Sequence, residues 1–240
     1  MIVADFRVIR KEIDRKIIVE AITELWEPLD DRQRQFLTDN IEIHTFRKNE
    51  VIFSENEVPR FLMCLISGKV KIYMDGIGGR DQIIRLINQN GFFGYRAAFA
   101  GENYRNGAAA FEPSMICMIP INVIKELINE NNALAIYFIK QLSAMLGAAD
   151  MRTVNLTQKH IRGRLAESLV SLIDKYGVDE DGSTLNIHLS REDLASMSNM
   201  TTSNAIRTLS AFAQEHIIAI DGRKIKVIKE KELRNISDMG

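Results

Sequence analysis

From Ile43 to Pro120 the apolar residues come in short runs, IHTF, VIF, FLMCLI, KVKIYM, QIIRLI and MICMIP, parted by KNE, SGK, DGIGG and NQNG. Short apolar runs bounded by turn formers predict antiparallel strands. Their regular succession predicts a sandwich or jelly-roll barrel that closes near Pro120. On either side of this region the period lengthens. Val19 to Leu37 carries apolar positions at helical spacing, broken at Pro28, and predicts two short helices. From Asn122 the helical period returns. Asn132 is placed to cap a long helix running to about Asn155, and a further helix covers about Gln158 to Tyr176, stopping at Gly177. An acidic loop, GVDEDGS, follows.

In the long helix Ile139, Leu142, Leu146, Ala149, Thr153 and Leu156 recur at alternating spacings of three and four. A seam of that period packs against another helix, either from a second copy of the chain or from the chain's own barrel.

The segment LSREDLASMSNMTTSNAIRTLSAF, Leu189 to Phe212, holds two short helical patterns. Ser190 with Asp193 three residues on predicts a capped helix over Arg191 to Met197. Ser198, Asn199 and Met200 make the turn, and Thr201 caps a second helix. There Ala205, Ile206, Leu209, Phe212 and Ala213 are expected on one face, with Ser203, Asn204 and Arg207 on the other. Short hydroxyls and amides beside an Arg suit the major groove: the guanidinium fork matches the two acceptors on guanine, whereas carboxylates would be repelled by phosphates. Arg191, at the start of the first helix, is placed for a phosphate, as are the first-turn amides of the second. Beyond it, HIIAI and KIKVI flank Asp221 and Gly222, a hairpin with Arg223 and Lys224 at its tip. The pattern predicts a winged helix-turn-helix on double-stranded DNA. A plain helical hairpin with a solvated polar face would share the spacing.

Composition narrows the alternatives. With 240 residues, 46% hydrophobic and 26% charged, the chain has room for two ordinary domains. No apolar run approaches a membrane span and MIVADFRVIRKEIDRK has no signal-peptide core, so no membrane contact and a cytoplasmic place are expected. The formal net charge is -1, and residues 151–240 carry 13 Lys and Arg against 12 Asp and Glu, so the DNA reading rests on placement of charge and not on its total. Cys64 and Cys117 are the two cysteines, too few for an iron-sulfur cluster, and both sit in apolar strand patterns. Haem sensing would need an axial ligand such as His44 or His160, but a lone His is more often a strand or helix surface residue than a ligand. No metal site and no catalytic constellation is expected, so the chain reads as no enzyme.

LISGKVKIY, GFFGYRAAFAGENYRNGAAA, NLTQKHIRGRLAESL, LSREDLASMSNMTTSNAIRTL and the hairpin follow one another as in the Crp/Fnr family of transcription regulators, which the chain resembles over nearly everything after residue 40. The resemblance implies an α+β fold: an N-terminal β jelly roll like a cyclic-nucleotide-binding domain, a long dimerisation helix and a C-terminal winged helix-turn-helix. The corresponding domains are 1–132, 133–157 and 158–240. It implies a homodimer on an inverted-repeat operator, RNA polymerase as a partner, and base contacts at Thr202, Ser203 and Arg207, where Ser203 replaces a Glu common in the family. In the effector cassette the phosphate position falls on Arg105. Tyr95 stands in place of the ribose carboxylate, Asn106 and Gly107 in place of small Ser and Ala, and the adenine-contacting positions fall on Ala149 and Asp150. Tight cyclic AMP binding is therefore not expected, and the effector stays unknown. Arg96 and Arg105 either receive another anion or pair with Glu102 or Glu112. The same jelly roll in a kinase subunit or channel would make a small-ligand-responsive protein that does not act on DNA, and a cupin-like enzyme would need a His and Glu cluster that the strands lack.

Overall fold

The computed structural model describes residues 15–76 and 81–240. Contacts divide the chain into two units, Met1–Asp75 with Ile84–Leu146, and Gly76–Ile83 with Gly147–Gly240.

In the first unit three helices, α1 (Arg15–Glu20), α2 (Thr23–Trp26) and α3 (Asp31–Asn40), stand where two were expected. The additional break falls at Ile22, whose backbone leaves the helical region (φ -90°, ψ 64°) while its side chain stays fully buried. Asp30 caps α3 by accepting from Gln33 N–H at 2.8 Å, and Gln33 accepts the Asp30 N–H in return.

Strands β1 (Glu42–Phe46), β2 (Val51–Phe53), β3 (Phe61–Ser67), β4 (Val70–Met74), β5 (Gln82–Ile87), β6 (Phe92–Phe93), β7 (Gly107–Ala110) and β8 (Ser114–Pro120) form two four-stranded sheets, ordered β1-β8-β3-β6 and β2-β7-β4-β5. Strand β7, GAAA, has no strand-forming side chains and went unread in the sequence. It forms because β2 and β4 pair with it on both edges, and each of its residues is buried. The β3–β4 turn needs Gly68: its φ is +89°, and a Cβ there would lie 2.4 Å from the Pro113 carbonyl oxygen.

The continuous apolar character of β3 and β8 has a plain cause. Met63, Leu65, Ile116 and Met118 face the other sheet, together with Phe46, Phe53, Ile72 and Phe93. Leu62, Cys64, Cys117 and Ile119 face the opposite way, into a helical layer that includes Leu25, Leu37, Ile124 and Phe138. Both faces of these strands are covered, and each fully buried aliphatic contributes about 1.5–3 kcal/mol. Cys64 and Cys117 lie directly across the strand pair. Burial pushes both thiols up, Cys117 to about 12, so they stay protonated and behave as small hydrophobes.

Helix α4 (Tyr95–Ala100) sits between β6 and β7; α5 (Ile121–Glu130) and α6 (Asn132–Gln158) follow β8. The cap of α6 is Asn131, one residue before the expected Asn132. Its Oδ1 accepts from Ala133 N–H at 3.0 Å while its amide donates to the Pro28 carbonyl at 2.8 Å, fixing the helix start to the α2–α3 turn.

The second unit holds the rest of α6, α7 (Ile161–Tyr176), α8 (Arg191–Met197), α9 (Thr202–Gln214), strands β9 (Ile218–Asp221) and β10 (Lys224–Val227), and α10 (Glu230–Met239). Helix α7 starts three residues later than expected, because Gln158 closes α6 and His160 is extended (φ -69°, ψ 166°). Leu165, Leu169 and Leu172 of α7, Leu194 of α8, Leu209 and Phe212 of α9, and Leu233 of α10 are buried in this unit. Helix α10 was not expected from the sequence; Leu233 and Ser237 are its buried residues, and the rest of KELRNISDM is polar enough to resemble a tail.

Candidate nucleic-acid interface

Helices α8 and α9 are each capped at their start by a side chain. Ser190 and Asp193 form the full capping box: Asp193 N–H donates to Ser190 Oγ at 3.0 Å, and Ser190 N–H donates to Asp193 Oδ2 at 3.0 Å. Thr201 Oγ1 accepts from Asn204 N–H at 3.2 Å and caps α9. Between them Asn199 adopts φ +48°, a left-handed conformation that Asn tolerates and β-branched residues resist. Asn199→Val should therefore cost about 1–2 kcal/mol and Asn199→Gly very little, as read by denaturant unfolding.

Arg164 on α7 was given no role in the sequence reading, yet it holds this turn. Its guanidinium donates to the carbonyls of Ser198 (3.2 Å) and Asn199 (3.3 Å), and also to those of Leu156 (3.3 Å) and Lys159 (3.4 Å) at the end of α6. Main-chain acceptors leave no trace in a side-chain pattern, so spacing could not reveal it. Ser198 Oγ also donates to Ser168 Oγ at 2.8 Å in the interior.

The two faces of α9 differ from the expected ones at one position. Ala205, Leu209 and Phe212 are buried, and Ala213 is half-buried. Ile206, expected with them, is 47% exposed and lies among Ser203, Arg207 and Ser210 on the open face. Helical geometry requires this, since positions 203, 206, 207 and 210 fall on one side at about 100° per residue. Thr202 and Asn204 are half-buried, Thr201 is exposed, and Asn204 Oδ1 accepts from Arg207 Nη2. The turn of the β9–β10 hairpin is Gly222–Arg223, with Lys224 opposite Asp221 and Gly222 at φ +55°. Arg191 donates from Nη2 to the Gly222 carbonyl at 2.9 Å, joining the start of α8 to the hairpin tip beside Arg223 and Lys224.

In the cassette of the first unit, Arg96 Nη1 lies 2.7 Å from Glu102 Oε1, and Arg105 Nη2 lies 2.8 Å from Glu102 Oε2. Of the two arrangements left open by the sequence, the arginines adopt the paired one, with Glu102; Glu112 takes Lys69 at 3.0 Å instead. The hydrogen bond from Arg96, reinforced by Arg105, holds the Glu102 carboxyl below the usual range. Tyr95 is only 2% exposed, packed against Phe99 and Phe138 with ring centroids 5.7 and 5.4 Å away, in the helical layer and not between the sheets. Asn106 is half-buried, and Gly107 is covered by the Tyr73 ring. Between the sheets Phe53 stacks on Tyr104 at 3.8 Å, next to Phe93. Both arginines thus already hold an internal carboxylate, and aromatic rings pack the space between the sheets. Asp150 is exposed on α6.

Along α6, Ile139 and Leu146 are 57% and 65% exposed, and Ala149 and Thr153 are exposed. Leu142 is half-buried against the helical-layer core, and Leu156 is half-buried. Ile136 and Val154, not singled out by the spacing, extend the exposed apolar stripe. Among the described residues no cluster of His, Cys, Asp and Glu is placed to hold a metal, and no helix is long and apolar enough to cross a membrane. His44 is buried, with Nε2 2.9 Å from Glu42 Oε2, and His160 is exposed.

Residues 43–131 match a model of the cyclic nucleotide-binding domain, and residues 163–236 match a model of the Crp-like helix-turn-helix domain. The chain is 26% identical over 190 residues to the global nitrogen regulator of Nostoc sp., covering 78% of this chain and 85% of that protein. It is 26% identical over 224 residues to the anaerobic regulatory protein of Bacillus subtilis, covering 92% and 90%. Among solved structures, FixK2 from Bradyrhizobium japonicum superposes with a TM-score of 0.74 at 21% identity, over 82% of this chain and 96% of that one. A transcriptional regulator of the CRP/FNR family from Thermus thermophilus superposes at 0.69 with 23% identity, over 82% and 98%. These structural likenesses establish the fold. The two domain models, matched in this order along one chain and shared with regulators of that kind, make this protein a member of the Crp/Fnr family of DNA-binding transcription regulators.

Proposed function

We propose that the chain acts as a homodimer that reads an inverted-repeat operator, with α9 in the major groove and the β9–β10 wing beside it, under an effector domain that does not bind cyclic AMP tightly. The observation that carries the reading is the open face of α9: Ser203, Arg207 and Ser210 stand exposed with no carboxylate among them, on a helix anchored by Phe212. Arg207 is the base-reading group, Thr202, Ser203 and Asn204 surround it, Thr201 and the first-turn amides face a phosphate, and Arg191, Arg223 and Lys224 flank the backbone. The stripe of Ile139, Leu146, Ala149 and Thr153 on α6 is the surface for the second copy, which sets two recognition helices about 34 Å apart on successive major grooves. In this reading residues 1–132 form the effector domain, 133–157 the dimerisation helix and 158–240 the DNA-binding domain. The work is cytoplasmic, and RNA polymerase is the protein partner.

Selection from random duplexes tests the proposal. A recovered inverted repeat with half-sites about one helical turn apart supports it. Material with no preference among duplexes points instead to a small-ligand-responsive protein that does not act on DNA.

Calorimetry with cyclic AMP should show no binding in the low micromolar range. A micromolar affinity corresponds to about 8 kcal/mol, and losing two or three charge-assisted hydrogen bonds of about 1.5–3 kcal/mol each removes most of it. A dissociation constant of low micromolar or tighter overturns this part of the proposal.

A further inference from the structure

Ile206 is the residue on the open face of α9 that neither packing nor polar chemistry accounts for. The residue is 47% exposed, a branched aliphatic that helical geometry sets on the polar side, where its burial stabilises nothing within the chain. The apolar face does not need it, since Ala205, Leu209 and Phe212 already fill that side. Single exposed aliphatics are common on protein surfaces and call for no account by themselves. This one differs in its neighbours: Ser203 lies one turn before it, Arg207 beside it and Ser210 one turn after it, so any surface that engages these polar groups must also meet the Ile206 methyls.

The major groove offers one apolar group, the 5-methyl of thymine, next to the donors and acceptors that Ser and Arg read. We infer that Ile206 reads a thymine by packing on its 5-methyl group, within a base pair or two of the guanine addressed by Arg207. This rests on the DNA reading of α9 and deepens it: Arg207 specifies by hydrogen bonds, whereas Ile206 specifies by excluding water from a methyl. A cytosine at that pair presents an amino group to the isoleucine, which would have to desolvate it without a partner.

The experiment uses the full chain and its selected operator, with each thymine replaced singly by 2′-deoxyuridine, which lacks only the methyl. One thymine per half-site should weaken binding by about fourfold when replaced, the equivalent of one buried methyl. Ile206→Ala, at an exposed position that leaves the Phe212 face intact, should bind the thymine and uracil duplexes equally. Indifference of the wild-type chain to every replacement, or retained methyl sensitivity in Ile206→Ala, overturns the inference while leaving the DNA reading in place. Failure of the wild-type chain to prefer any duplex overturns the DNA reading, and this inference with it. If Ile206→Ala does not fold, the uracil scan on the wild-type chain alone decides.

Discussion

Phe212→Ala should destabilise the second unit by about 3–5 kcal/mol, the largest effect expected of any single substitution in the DNA-binding half. The ring is fully buried, and the Arg162 guanidinium lies 4.6 Å above its centroid while also bonding Glu215 at the end of α9. Truncation leaves a void beneath the recognition helix and strips the cation of its π face, a loss of packing and of cation–π attraction together. Against a typical domain stability of about 5–15 kcal/mol, such a loss leaves a sizeable unfolded population at physiological temperature. The two units can be followed apart, because Trp26, the single tryptophan, lies in the first. Its fluorescence transition should hardly move. The helical signal in far-ultraviolet circular dichroism should acquire an earlier phase, and operator binding should vanish with that phase.

Arg207→Ala should leave the melting curve untouched and cost about 1–3 kcal/mol of discrimination at one base pair, roughly five- to 150-fold in relative affinity. Arg207 is exposed and its guanidinium is steadied by Asn204 one turn back, so nothing in the core depends on it. Arg207→Lys should fail to restore the preference, because an ammonium cannot make the bidentate contact to guanine O6 and N7. Competition binding against duplexes altered at each position separates this outcome from a general electrostatic one, in which every sequence weakens alike and the salt slope flattens. Unchanged discrimination in the Ala variant would remove Arg207 from the reading face.

Much of the fold was legible because local chemistry and tertiary structure agree. Ser190 with Asp193, and Thr201 before TSNAIRTL, announce helix starts through side chains that bond the first-turn amides, and both caps form. Gly68 and Gly222 mark turns that only a residue at ease with positive φ makes cheaply. Strands β3 and β8 showed as unbroken apolar runs for the reason now visible, a core on each side.

What stayed hidden depended on partners distant in sequence. The GAAA of β7 is a strand only by virtue of β2 and β4, and Arg164 acts on carbonyls 34 and 35 residues away. Ile206 was misplaced because its aliphatic character was counted as core, although at about 100° per residue position 206 falls on the side of Ser203, Arg207 and Ser210. For Arg96 and Arg105 the residue types fit an anion site or an ion pair equally well, and only the approach of Glu102 in space distinguishes them.

The bond from Arg191 to the hairpin ends on a main-chain oxygen, that of Gly222, and not on a side chain. The loop is thus secured whatever stands at positions 223 and 224, so Arg223 and Lys224 are open to replacement during divergence without loosening the scaffold. A lineage can change the charge carried at the tip while the angle of the loop is inherited unchanged.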